Sequence, residues 1–149
     1  MGFSPWGVVI AAAVLLPNLT LLVFPPRPAL PQVRTSPAWV WLERSGQALC
    51  LTVPWITEPG ELRWGWGGIA LAALVAYGAL WGRYLVSGCR REMLYRPWAW
   101  MPVPMAILPV LTFLAAAAWL SNPWVAAAAV VLAAGHIPVS FAMARAATE

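Results

Sequence analysis

Apolar residues run along the chain in five long stretches, and short segments rich in proline, glycine or charge separate them. A helix needs about 20 mainly apolar residues to cross a bilayer. The five stretches that meet this requirement are residues 5–24, 37–57, 67–88, 97–120 and 124–144. The pattern predicts an all-α protein, a single transmembrane domain over residues 1–149 built as an integral membrane bundle of five transmembrane helices. The second stretch is the least regular, because Glu43 and Arg44 interrupt it.

The arginines predict how these spans are oriented. With five spans, residues 25–36, residues 89–96 and the C-terminal tail share one side, which holds Arg27, Arg34, Arg90, Arg91, Arg96 and Arg145. The other side holds Arg63, with Glu58 and Glu61. Because cytoplasmic loops collect arginine, the N-terminus is predicted to lie outside and the C-terminus in the cytoplasm. Omitting the second span would divide the arginines between the two sides, so five spans are preferred.

Composition excludes a soluble globular protein. The chain is 62% hydrophobic and 9% charged, whereas soluble domains have about 25% charged residues. The net charge of +4 is spread over scattered arginines, and no run of arginine exceeds two residues, so no nucleic-acid partner is expected. The expected partner is the lipid bilayer of a cell membrane, such as a bacterial inner membrane or a plasma membrane.

The tryptophans support the same boundaries independently. Tryptophan favours the membrane interface, where one part of the ring is dry and another is wet. Of the 11 tryptophans in the chain, only Trp81 lies clearly inside a predicted span. The others lie near the predicted ends of the spans.

Polar residues inside the predicted spans form the candidate site. An ionisable group in hydrocarbon costs roughly 2.5–3.5 kcal/mol on insertion scales, so its presence requires a reason. At about 1.5 Å of rise per residue, four spans place polar groups roughly 8–15 Å from the inner boundary. The predicted ligand-binding residues are Asn18, Glu43, Gln47, Arg83, Tyr84 and His136. We expect a polar pocket that opens toward the cytoplasm, with Glu43 paired to Arg83, since the adjacent Arg44 points elsewhere on the helix.

Two function classes fit this pattern. The polar groups can bind or transport a small molecule or an ion. Alternatively, they only hold the helices together, and the chain is a non-catalytic accessory or assembly subunit that packs against a larger membrane complex or another copy of itself. In that second case Gly78 and Gly82, a pair of small residues four apart, are a candidate packing surface.

Enzymatic, metal and cofactor chemistry have little support in the sequence. No nucleophile elbow, zinc-protease helix motif or phosphate loop occurs, so an enzyme is not the preferred interpretation. One histidine and one glutamate in the membrane do not make a metal-ligand set. The sequence implies no cofactor.

The motifs at these positions resemble those of a group of small uncharacterised bacterial multi-pass membrane proteins. The resemblance covers most of the chain and rests on Pro17-Asn18, Glu43-Arg44-x-Gly46-Gln47, Tyr77-x-x-x-Trp81-x-Arg83-Tyr84, Pro102-x-Pro104-x-Ala106-x-x-Pro109 and Gly135-His136-x-x-x-Ser140. It implies the architecture and no activity. The chain is also similar to the tryptophan-rich sensory (translocator) protein family in length, number of helices and tryptophan content. That likeness is one of composition only.

Overall fold

The computed structural model describes residues 2–148, and within this range the chain is helical and has no β-strand. The helices are α1 (Pro5–Val23), α2 (Pro37–Ile56), α3 (Trp64–Val86), α4 (Glu92–Tyr95), α5 (Pro104–Trp119) and α6 (Pro123–Thr148). Five of them are long, and α4 is a single turn between α3 and α5. The all-helical bundle predicted from the sequence is confirmed.

Proline determines where most of the long helices begin. The helices α1, α2, α5 and α6 each start on a proline, at Pro5, Pro37, Pro104 and Pro123. The first turn suits proline because its N–H groups have no partner within the helix and proline has no N–H to leave unpaired. In α1 the cap is completed by the hydroxyl of Ser4, which accepts a hydrogen bond of 3.1 Å from the Gly7 N–H.

The fourth long helix begins later than the sequence pattern predicted. The apolar stretch starts at residue 97, but α5 starts at Pro104 and has 16 residues. Trp98 and Met101 exchange two backbone hydrogen bonds of 3.0 Å and close a turn before it. Pro102 and Pro104 lack the N–H that a helix needs and disfavour helical backbone in the residue before them. Hydropathy could not reveal this break, because the residues in the turn are as apolar as those in the helix.

The long helices alternate in direction, so the connecting segments collect at two ends of the bundle. The N-terminal end holds residues 2–4, 57–63 and 120–122, and the C-terminal end holds residues 24–36, 87–103 and the end of α6. Backbone hydrogen bonds join Ser4 to Trp55 and Gly60 to Leu120 at the N-terminal end. At the C-terminal end, the Arg27 N–H donates to the Cys89 carbonyl at 2.8 Å.

Glycine allows α2 to pack closely against α6. A Cβ at Gly46 would clash with the backbone of Leu132, and a Cβ at Gly135 would clash with the backbone of Glu43. Two helix backbones therefore touch at two successive levels, which sets the register of this antiparallel pair. In the rest of the bundle, α1 packs on α2, α3 on α5, and α5 on α6.

The helices of this bundle have the length and composition expected of a membrane protein. Three helices, α1, α3 and α6, are long and apolar enough to cross a membrane, and α5 is a shorter apolar helix. Large apolar side chains such as Leu22, Val75 and Val86 project from the surface of the bundle. A helix that is apolar on its outer as well as its inner face is typical of a protein surrounded by lipid.

Candidate functional site

Glu43 and His136 form the central polar contact of the bundle. Glu43 Oε1 lies 2.6 Å from His136 Nδ1, and the two side chains are 17% and 23% exposed. The contact follows from helix packing, because Gly135 brings the α6 backbone against the backbone of Glu43. A carboxylate can only accept a hydrogen bond. When Glu43 is ionised, the histidine proton is therefore held on Nδ1, and Nε2 of a neutral ring is an acceptor.

The expected pairing of Glu43 with Arg83 is wrong. Arg83 Nη2 instead donates to the carbonyls of Met93 and Arg96, each at 3.2 Å, and so ties the α4 segment to α3. The physical reason is helix adjacency: α2 packs against α6 and α1, whereas α3 packs mainly against α5. The side chains of Glu43 and Arg83 therefore project into different parts of the bundle.

Tyr84 has a structural contact instead of a place in the pocket. Its ring is buried, and its hydroxyl donates to the Phe24 carbonyl at 2.7 Å, at the end of α1. This bond satisfies a carbonyl that has no partner within the helix. Neither Tyr84 nor Arg83 lines the two cavities described below.

One cavity of about 230 Å³, here called the main cavity, is lined by three of the predicted residues, Asn18, Gln47 and His136, and not by Glu43. Its polar lining residues come from four helices and are Asn18 (α1), Gln47 (α2), Tyr77 (α3) and His136 (α6). Most of the remaining wall is apolar and includes Val14, Phe113 and Leu132. Because Asn18 and Gln47 are exposed, the cavity is open on the side between α1 and α2.

A second, smaller cavity adjoins the main one. This inner cavity has a volume of about 120 Å³ and shares Asn18, Tyr77 and His136 with the main cavity. Trp81 and Tyr95 also line it. Burial raises the pKa of Tyr95, and the negative charge of Glu43 adds to this effect. Tyr95 therefore lies close enough to Glu43 to interact with it electrostatically.

Sequence reasoning did not include Tyr77, Trp81 or Tyr95 among the site residues. A signal existed for the first two, because they are four residues apart and so share a face of α3. Their rings meet edge to face, with centroids 6.2 Å apart. No local signal marked Tyr95, whose place in the site depends on how the segment after α3 folds back over the bundle.

The site is suited to uncharged hydrogen-bonding groups. The Asn18 amide N–H donates to the Val14 carbonyl at 2.8 Å, and the Asn18 side chain also interacts with the Tyr77 hydroxyl. Among the residues that the structure describes, no arginine lines the main cavity, and no group of three or more His, Cys, Asp or Glu side chains is placed to hold a metal ion. Comparison with protein-family models, curated proteins and solved structures finds no match to this chain.

Proposed function

We propose that this protein is a multi-pass membrane protein that binds a small, largely apolar molecule in the main cavity. One observation supports this proposal above all: four helices direct Asn18, Gln47, Tyr77 and His136 to one cavity whose other walls are mostly apolar. Ligand sites generally combine apolar walls with a few polar groups that set orientation. The volume of about 230 Å³ lies below the usual range of roughly 300–1,000 Å³, which favours a small ligand.

The proposed route of entry is from the bilayer, between α1 and α2. The two helices meet tightly toward the N-terminal end, where a Cβ at Gly7 would clash with the backbone of Pro54. Closer to the C-terminal end, the exposed Asn18 and Gln47 leave the cavity open. A molecule dissolved in the membrane could therefore enter from the half of the bundle that holds the C-terminal end.

Filling the main cavity should abolish ligand retention. Cys50 is 1% exposed and lines the main cavity, so a Cys50→Phe side chain would occupy the ligand's space. We expect the parent protein, extracted with its native lipid, to retain a small molecule that mass spectrometry detects and that Cys50→Phe loses. Ala48→Phe is the matched control, because Ala48 lies on the outer face of the same helix.

The smaller replacement Cys50→Leu and thermal unfolding of each variant show whether a loss of retention comes from a folding defect. Retention of the same molecules by the parent and by a folded Cys50→Phe or Cys50→Leu variant would contradict the proposal. If the Cys50 variants lose stability and no retained molecule depends on the main cavity, the result would favour a polar network that only holds the helices together. That is the behaviour expected of an accessory subunit.

We further propose five membrane spans, with the N-terminus outside and the C-terminus in the cytoplasm. The alternating helices and the arginines of the C-terminal end support this orientation. In this orientation α2 also crosses the membrane, although Glu43 and Arg44 lower its mean hydropathy. The Glu43 carboxylate has a hydrogen-bonding partner there in His136.

Cysteine labelling in intact cells tests the orientation. In a Cys89→Ala background, a membrane-impermeant maleimide should label Glu61→Cys at the N-terminal end and leave Arg90→Cys at the C-terminal end unlabelled. Both positions are exposed, so permeabilised cells should show labelling of both and serve as the control. Labelling of Arg90→Cys alone in intact cells would reverse the proposed orientation.

A further inference from the structure

A groove at the C-terminal end of the bundle lies between the segment around α4 and the last turns of α6. This groove, here called the end groove, has a volume of about 410 Å³. Its apolar lining includes Val103 and Phe141. The charged side chains of its lining are Glu92, Arg96 and Arg145. None of its described lining residues also lines the main cavity, so it is a separate candidate site.

The arginines at this end of the bundle have different contacts. Arg83 donates to the carbonyls of Met93 and Arg96, each at 3.2 Å. Arg91 donates to the Ala29 carbonyl at 3.1 Å, so both of these arginines connect segments of the chain. The Arg96 guanidinium is exposed and has no hydrogen-bond or ion-pair partner within residues 2–148. Arg96 can therefore bind an anionic group without breaking a contact of the fold.

Positive charge predominates around the end groove. Arg96 and Arg145 line it, and Arg83 adjoins Arg96 through its hydrogen bond to the Arg96 carbonyl. Glu92 is the only acidic residue of the described lining. Three arginines near one glutamate favour an anion over a cation, because the summed charge of a cleft determines which ions it attracts.

The surroundings of the end groove are those expected of a membrane surface. Trp98 and Trp100 follow Arg96 in the chain and are 44% and 82% exposed, and exposed tryptophan favours the boundary between lipid and water. The apolar side chains of Val103 and Phe141 lie in the same groove as the arginines. This combination suits a molecule with an anionic head and an apolar tail.

We propose that the end groove binds an anionic phospholipid, with its phosphate at Arg96 and Arg145 and part of one acyl chain against Val103 and Phe141. Basic pockets between transmembrane helices at the cytoplasmic surface bind anionic lipid headgroups, and an arginine can bind two phosphate oxygens at once. The inference rests on the proposed membrane spans, which place this end at a membrane surface. It does not depend on a ligand in the main cavity.

Native mass spectrometry of the full chain in detergent micelles tests this inference. The delipidated protein is titrated with dioleoyl phosphatidylglycerol, phosphatidylethanolamine or phosphatidylcholine, which share their acyl chains and differ in the headgroup. We expect the first phosphatidylglycerol to bind about tenfold more tightly than phosphatidylcholine. Thermal unfolding compares the same lipid with inorganic phosphate, and only the lipid should raise the unfolding temperature, since phosphate makes no apolar contact with the groove.

Three variants connect the preference to the end groove. Arg96→Gln should weaken the binding of phosphatidylglycerol about fivefold and leave that of phosphatidylcholine unchanged. Arg34→Gln is the matched control, because Arg34 is an exposed arginine at the same end outside the described lining of the groove. Glu92→Gln removes the opposing charge and should strengthen the binding. All three positions are exposed, so each variant should unfold near the temperature of the parent when no lipid is added.

Each of the other outcomes would overturn the inference. Equal affinity of the parent for phosphatidylglycerol and phosphatidylcholine, or tighter binding of phosphatidylethanolamine, would exclude an anionic headgroup. Undiminished binding in Arg96→Gln, or equal weakening in Arg96→Gln and Arg34→Gln, would indicate diffuse surface charge instead of a groove. Equal stabilisation by inorganic phosphate would exclude a lipid. The maleimide labelling of Glu61→Cys and Arg90→Cys tests the membrane spans independently, so the two proposals can fail separately.

Discussion

Replacement of Gly135 by alanine is expected to lower the free energy of unfolding by about 1–3 kcal/mol. The added Cβ would clash with the backbone of Glu43 and Leu42, and backbone atoms cannot rotate away as a side chain can. The α2 and α6 backbones would have to separate, and the 2.6 Å contact between Glu43 and His136 would lengthen. Reversible unfolding in mixed detergent micelles measures the loss of unfolding free energy. Nitrogen NMR of the single histidine of the chain, His136, reports the contact with Glu43.

Gly78→Ala is the matched control for this substitution. A Cβ at Gly78 meets no atom within 4 Å, so alanine there should be neutral or stabilise the helix by about 0.5–1 kcal/mol. Gly46→Ala should resemble Gly135→Ala, because its Cβ would meet the backbone of Leu132. If Gly135→Ala and Gly78→Ala had equal effects, close approach of α2 and α6 would not be what holds the site in register.

Replacement of His136 by leucine should destabilise the protein more than replacement of both members of the pair. In His136→Leu, the partly buried Glu43 loses its only hydrogen-bonding partner among the described side chains, at a cost of about 1–3 kcal/mol. The doubly substituted Glu43→Leu/His136→Leu protein has no unpaired carboxylate, and an apolar pair of similar volume can be as stable as the hydrogen-bonded one. Unfolding free energies of the parent, both single variants and the double variant form a complete cycle.

The pattern of this cycle has a direct interpretation. A coupling energy near zero would show that Glu43 and His136 do not stabilise each other, contrary to the geometry. A strong coupling, combined with loss of ligand retention in the stable double variant, would separate the pair's role in the site from its role in folding. Arg44→Leu is a suitable control, because Arg44 is an exposed neighbour of Glu43 on the same helix.

The sequence by itself determined the helical architecture and the membrane character of the protein, because both depend on local properties. Runs of apolar residues are long enough to cross a bilayer, and prolines such as Pro5, Pro37 and Pro123 mark helix starts. Depth along each helix follows from the constant rise per residue. Polarity and depth selected Asn18, Gln47 and His136, which the structure places around one cavity. The same criteria also selected Glu43, Arg83 and Tyr84, which do not line it.

Only the tertiary structure decided which polar groups meet. Residues at equal depth can contact one another only if their helices are neighbours and their faces are turned together, and neither property is encoded locally. Close packing of α2 on α6 at Gly46 and Gly135 joined Glu43 to His136, 93 positions apart in the chain, and left Arg83 to the α4 segment. The same packing of distant segments buried Trp81, a boundary exception in the sequence, in the wall of the inner cavity.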